Sequence, residues 1–225
     1  GATSLVARAF LCRAAYQSLA DIDGEIKRRG GSVVLSTISK AIKRLVDDLI
    51  VDRTDTGFLT RQPEKLLQKL CESYTPPKLT KVVTLKVKEP PKVSGKRPST
   101  ANVQLLASLA LDQFVTQQKM MVLTGESSIE NYAVMGRQDW PVLYTTDADA
   151  LIRAWGKDVE QTSRFIDLEL RQTNDPTVYF DVRTKQNLPY ASPIQVYLEC
   201  TAAGDKRERE TALQVKELIL RQLKQ

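Results

Sequence analysis

An α+β chain in two parts is what the sequence predicts, and three observations predict it. Short amphipathic helical patterns followed by a hairpin pattern fill the first 75 residues. A stretch rich in Pro, Gly and Ser comes next, at residues 89–100 (EPPKVSGKRPST). Beyond residue 101 helical and strand-like segments alternate, as in a mixed α/β domain. The expected boundaries are a domain over 1–75, a basic connector over 76–100 and an α/β domain over 101–225.

Leu5, Ala9, Cys12 and Tyr16 recur at helical spacing, so a first helix is expected over Thr3–Gln17. A second covers Leu19–Arg29 and ends at Gly30-Gly31. The third carries the clearest periodicity. Ser36 suits an N-cap, and Ile38, Ala41, Ile42, Leu45, Val46 and Leu49 then form one apolar stripe. Two strand-like runs, Ile50–Arg53 and Phe58–Arg61, flank the turn Thr54–Gly57 and predict a β-hairpin. Pro63 closes it, and Glu64–Tyr74 reads as a further helix. Residues 78–88 (KLTKVVTLKVK) alternate in part and suit a strand with a basic outer face.

In the second part, helices are expected over Ala101–Gln117, Ser128–Tyr132 and Asp147–Trp155, the last capped by Asp147. Strands are expected over Met120–Thr124, Pro141–Thr145, Arg164–Leu170 and Thr177–Arg183. Ile194–Thr201 reads as strand or helix. A terminal helix after Gly204-Asp205 has Ala212, Val215, Ile219 and Leu223 as its core stripe.

Composition narrows the function. Hydrophobic residues make up 42%, which excludes a disordered chain. No apolar run reaches the ~18 residues of a membrane span. No secretory leader is expected either, because Arg8 interrupts Leu5–Leu11. Cys12, Cys71 and Cys200 are widely spaced, as reduced thiols in a cytoplasmic protein would be. Histidine is absent, which removes the commonest general base and the commonest transition-metal ligand. The net charge of +6 is uneven: residues 1–100 are basic and residues 101–225 are slightly acidic. A polyanion is the expected partner of the basic end.

Helix, helix, capped helix and hairpin, in that order, make the plan of a winged helix-turn-helix. A recognition helix buries one face and offers the other to the major groove of double-stranded DNA. Here Ser36, Thr37, Ser39, Lys40, Lys43 and Arg44 occupy the outward face, and Arg53 and Arg61 of the hairpin are placed to touch the backbone. No catalytic, cofactor or metal site is expected, since phosphate-loop, dinucleotide and nucleophile-elbow patterns are all missing. Two alternatives remain open. Asp167, Glu169 and Asp181 with Arg183 suit a metal-dependent nuclease or another DNA-processing enzyme. The winged helix also suits a protein-interaction adaptor.

One resemblance extends over most of the chain. The stretches Leu123–Ala133 (LTGESSIENYA), Pro141–Gly156 (PVLYTTDADALIRAWG) and Ser192–Leu218 (SPIQVYLECTAAGDKRERETALQVKEL) resemble the AbiEi-like antitoxins of type IV toxin–antitoxin systems. The resemblance implies a transcriptional regulator that represses its own operon. It also implies a functional partner, a toxin of nucleotidyltransferase type. A symmetric homodimer on a promoter or operator, without a cofactor and without a membrane, is the expected assembly.

Overall fold

The computed structural model describes residues 1–88, 106, 117–134, 140–203 and 206–224. It is a mixed α+β fold with two sheets. In the first unit, α1 (Ala2–Cys12) leads through β1 (Ala15–Tyr16) to α2 (Leu19–Arg28) and α3 (Leu35–Asp47). Then come β2 (Val51–Thr54), β3 (Gly57–Thr60) and α4 (Pro63–Glu72). The strands pair antiparallel in the order β1-β3-β2.

The first helix is shorter than the periodicity predicts. It stops at Cys12 because Arg13 is extended (φ −147°). Tyr16 is nevertheless buried, edge-on to Phe10 with ring centroids 5.0 Å apart, and its hydroxyl donates to the Ala9 carbonyl at 2.7 Å. Burial at position 16 is thus met by a strand instead of a fourth helical turn. Gly30 (φ +80°) ends α2 as expected: the N–H of Gly31 bonds the Ile26 carbonyl and that of Gly30 bonds Lys27.

The second unit is built on a seven-stranded sheet. Its strands are β4 (Lys81–Val87), β5 (Met121–Leu123), β6 (Val142–Thr145), β7 (Val159–Gln161), β8 (Leu168–Gln172), β9 (Arg183–Lys185) and β10 (Leu188–Tyr190). Their order is β7-β4-β8-β6-β5-β10-β9, with β6/β8 and β5/β10 parallel and the other pairs antiparallel. Helices α5 (Gly125–Ser128), α6 (Ala148–Trp155), α7 (Pro193–Ala203) and α8 (Lys206–Leu223) complete it. Asp147 caps α6 as predicted, accepting from the Ala150 N–H at 2.9 Å.

The strand expected within residues 78–88 forms as Lys81–Val87, inside the stretch assigned to the connector, and is paired on both edges with Val83, Leu85 and Val87 facing inward. Two other expectations are corrected. The chain over Thr177–Asp181 turns instead of extending, because Asp175 accepts from both the N–H and the hydroxyl of Thr177, at 2.9 and 2.8 Å. Val178, Tyr179 and Phe180 are all buried there, and such an apolar run reads as a strand from sequence. The strand expected from Arg164 begins only at Leu168, after Phe165 adopts φ +53°. The ambiguous Ile194–Thr201 is helical, opened by Ser192 Oγ accepting from the Gln195 N–H. Residues 89–100 and the helix expected over Ala101–Gln117, apart from Leu106 and Gln117, lie outside the described residues.

The two units share a core. Leu5, Ile26, Ile38 and Leu66 of the first belong to one buried cluster with Val122, Tyr144, Phe180, Val196, Val215 and Ile219 of the second. A second cluster lies on the opposite sheet face, around Leu85, Leu143, Leu151, Trp155 and Leu170. Polar groups cross the same boundary. Arg8, fully buried in α1, donates to Gln195 Oε1 at 2.7 Å and to the Thr177 carbonyl at 3.3 Å. Gln195 in turn donates to Glu199, whose other oxygen accepts from the Gly125 N–H at 2.8 Å. At the other end of the boundary, Arg29 pairs with Asp181 at 2.5 Å.

Burial raises the Glu199 carboxyl above its ordinary 4.5, and the hydrogen bonds from Gln195, Gly125 and Glu126 only partly oppose this. A raised carboxyl pKa means that the folded chain holds a proton the unfolded chain releases. Its contribution is therefore complete below pH 4.5 and is lost as pH rises through the folded value. In urea unfolding, the midpoint of the parent relative to Glu199→Gln is expected to fall as pH rises from 4.5 and then level off. A difference independent of pH would contradict the assignment.

Candidate nucleic-acid interface

Helix α3 buries Ile38, Ala41, Ile42 and Leu45 against the core, but the expected stripe stops there: Val46 is half-buried, and Leu49, beyond the end of the helix at Asp47, is 67% exposed because the chain turns at that residue. The cap is different from the one expected. The helix begins at Leu35 with Val34 as N-cap, and no side chain caps it; the Val34 carbonyl accepts from Thr37 and Ile38. Ser36 is therefore inside the first turn, with an exposed side chain. At the other end Leu49 takes φ +59°, the N–H of Ile50 bonds the Leu45 carbonyl, and Leu49 bonds Val46. This close turn delivers the chain directly into β2.

The outward face is open. Ser36, Ser39, Lys40, Lys43 and Arg44 are exposed, and Thr37 is half-buried at the edge of the stripe. Among the described residues Lys40, Lys43 and Arg44 have no carboxylate partner, whereas Lys27, Arg28, Arg29 and Lys69 are all paired. Unpaired cations on one helix face keep their full attraction for a polyanion. Arg44 also borders a groove of about 620 Å³ between α1, α3 and α4, walled by Ala41, Leu45, Leu66 and Leu70. Its guanidinium is left free on that flank.

The β2–β3 hairpin stands beside α3. Asp55 and Thr56 form a two-residue turn between Thr54 and Gly57. Arg53 is exposed and, among the described residues, unpaired. Arg61 differs: its Nε bonds Asp52 Oδ2 at 2.6 Å, and both side chains are largely exposed. Such a surface pair is worth little and yields readily to a phosphate. The eight residues singled out from sequence thus fall on one helix and the adjacent hairpin.

Sequence reasoning missed two neighbours. Val34 and Leu35, at the N-terminal end of α3, are 67% and 52% exposed. Aliphatic residues at a helix start read as core, and no polar signal marks them as surface.

The carboxylates of the nuclease alternative are engaged separately. Asp167 accepts from the Val87 N–H at 3.0 Å, Glu169 pairs with Arg171 at 2.6 Å, and Asp181 pairs with Arg29. Among the described residues no three Asp, Glu, Cys or His side chains form a group able to hold a metal ion. Trp155 is buried with its indole N–H donating to the Leu106 carbonyl at 2.7 Å, so it packs the second core. Among the described residues no helix is long and apolar enough to cross a membrane. No family model, no curated protein and no solved structure matches the chain.

Proposed function

We propose that the first unit is a winged helix-turn-helix and that the chain is a DNA-binding transcriptional regulator. One observation carries the reading: the outward face of α3 is open, polar and cationic, above a buried stripe that fixes its orientation. In this reading α3 is the recognition helix, and Ser36, Thr37, Ser39, Lys40, Lys43 and Arg44 meet base edges and phosphates. Arg53 and Arg61 are the phosphate contacts of the wing.

Fluorescence anisotropy with the duplex upstream of the chain's own coding sequence tests it across a salt series. Lys43→Ala and Arg44→Ala are each expected to weaken binding and to lower the slope of log affinity against log salt by about 0.9 for every phosphate left unneutralised. Both side chains are exposed, so melting should not move. Unchanged affinity and slope in both variants would remove α3 from the interface.

The resemblance to AbiEi-like antitoxins extends the proposal. The chain then represses its own operon as a homodimer, with its two recognition helices in major grooves about 34–36 Å apart. Its second function is to counteract a nucleotidyltransferase-type toxin.

A further inference from the structure

Two aliphatic side chains stand at the end of α3 where the DNA contact begins. Single exposed apolar residues are ordinary on protein surfaces. Val34 and Leu35 are consecutive, more than half exposed, and directly followed by the exposed Ser36, Ser39 and Lys40. A helical Cα–Cβ bond tilts toward the N-terminus, so Leu35 leans out past the end of the helix, beside Val34.

Charge along the same face fixes which end approaches DNA more closely. The outward row runs Ser36, Lys40, Lys43 and Asp47, all exposed. Its hydroxyl and cations come first and its carboxylate last. The first two turns hold no carboxylate and include the positive end of the helix dipole, whereas the last turn holds Asp47 as well as Arg44, so a polyanion approaches the N-terminal end more closely. Val34 and Leu35 therefore enter the groove ahead of the lysines. The major-groove edges of the bases are polar except for one group, the C5 methyl of thymine.

We propose that Val34 and Leu35 read thymine methyl groups, so that the recognised sequence carries thymine where it faces the N-terminal end of α3. The inference rests on the DNA-binding reading above. It adds a base preference that the cations and hydroxyls do not supply.

The full chain is used to select duplexes from a random pool. A selected duplex is then remade with deoxyuridine in place of one thymidine at a time. That exchange removes the C5 methyl and keeps every hydrogen-bonding group. At one or two positions affinity is expected to fall about fourfold, the transfer value of one buried methyl. Leu35→Ala and Val34→Ala should each reduce that difference, and the double variant should bind thymine and uracil duplexes alike. Leu35→Met, which keeps an apolar side chain, should retain it. Both residues are exposed, and unchanged melting confirms that the fold is intact. If the selected duplexes bind equally with thymine or uracil at every position, the inference is overturned while DNA binding stands. If no duplex is enriched even at low salt, the DNA-binding reading fails and the inference goes with it.

Discussion

Arg8→Met is expected to remove about 1 to 3 kcal/mol of unfolding free energy for each buried acceptor that it leaves without a donor. The wild-type side chain is 1% exposed. Burial pulls its pKa down to about 10, still far enough above neutrality to keep the charge. Its fork serves Gln195 Oε1 and the Thr177 carbonyl at once, and its Nε reaches Ser4 Oγ at 3.3 Å. Methionine fills the volume and satisfies none of these groups. Arg8→Lys keeps the charge but offers one point donor instead of a planar fork, so an intermediate loss is expected. Lys27→Ala is the control: its pair with Asp23 is at the surface, and less than about 1 kcal/mol should change. Urea unfolding at neutral pH measures all three. Since the two units share one buried cluster, a single transition should shift to lower urea in Arg8→Met. A loss below about 1 kcal/mol would mean that the network does not hold the units together.

How much of this is legible in the sequence depends on the range of the interactions involved. The α3 stripe from Ile38 to Leu45, the Gly30-Gly31 stop, the Asp147 cap and the β2–β3 hairpin follow from neighbours within a turn or two, and each forms where periodicity or turn chemistry places it. Short apolar runs are another matter. Val178–Phe180 and Ile194–Thr201 satisfy burial in more than one conformation, so tertiary packing decides between them. The join between the units is invisible. Arg8 and Gln195 are 187 residues apart, and in sequence Arg8 reads only as a charge interrupting an apolar helix. The stretch SPIQVYLE, which carries part of the family resemblance, has a structural role here: Ser192 opens α7, Gln195 meets Arg8 and Glu199 meets Gly125. At the candidate interface, charge and hydroxyl positions are readable because periodicity fixes which side faces out. Val34 and Leu35 are not, since exposure at a helix end depends on where the helix starts, and cap chemistry alone puts that start at Ser36.

Gly57→Ala is expected to cost about 3 kcal/mol or more, and to weaken DNA binding by disturbing the hairpin that carries Arg53. Gly57 opens β3 with φ +135°, a region that L side chains rarely adopt. Space is denied as well. A Cβ there would lie 2.0 Å from the Tyr16 carbonyl oxygen and 2.7 Å from Gln17 Cα. Both are backbone atoms, so relief requires β1 to move away from β3. That strand is held by the Tyr16 hydroxyl on the Ala9 carbonyl, by the Phe10 ring, and by its pairing with Phe58 and Leu59. The strain therefore spreads into the shared core instead of being absorbed at the turn. Gly24→Ala is the contrasting case. A Cβ there meets nothing within 4 Å, and the position is exposed inside α2. Alanine should stabilise that helix by about 0.5 to 1 kcal/mol. Urea midpoints of the two variants should accordingly move in opposite directions, and only Gly57→Ala should weaken binding and flatten its salt dependence. Equal shifts in both variants would show that glycine is not required at the hairpin, and that the close approach of β1 to β3 does not hold it against α3.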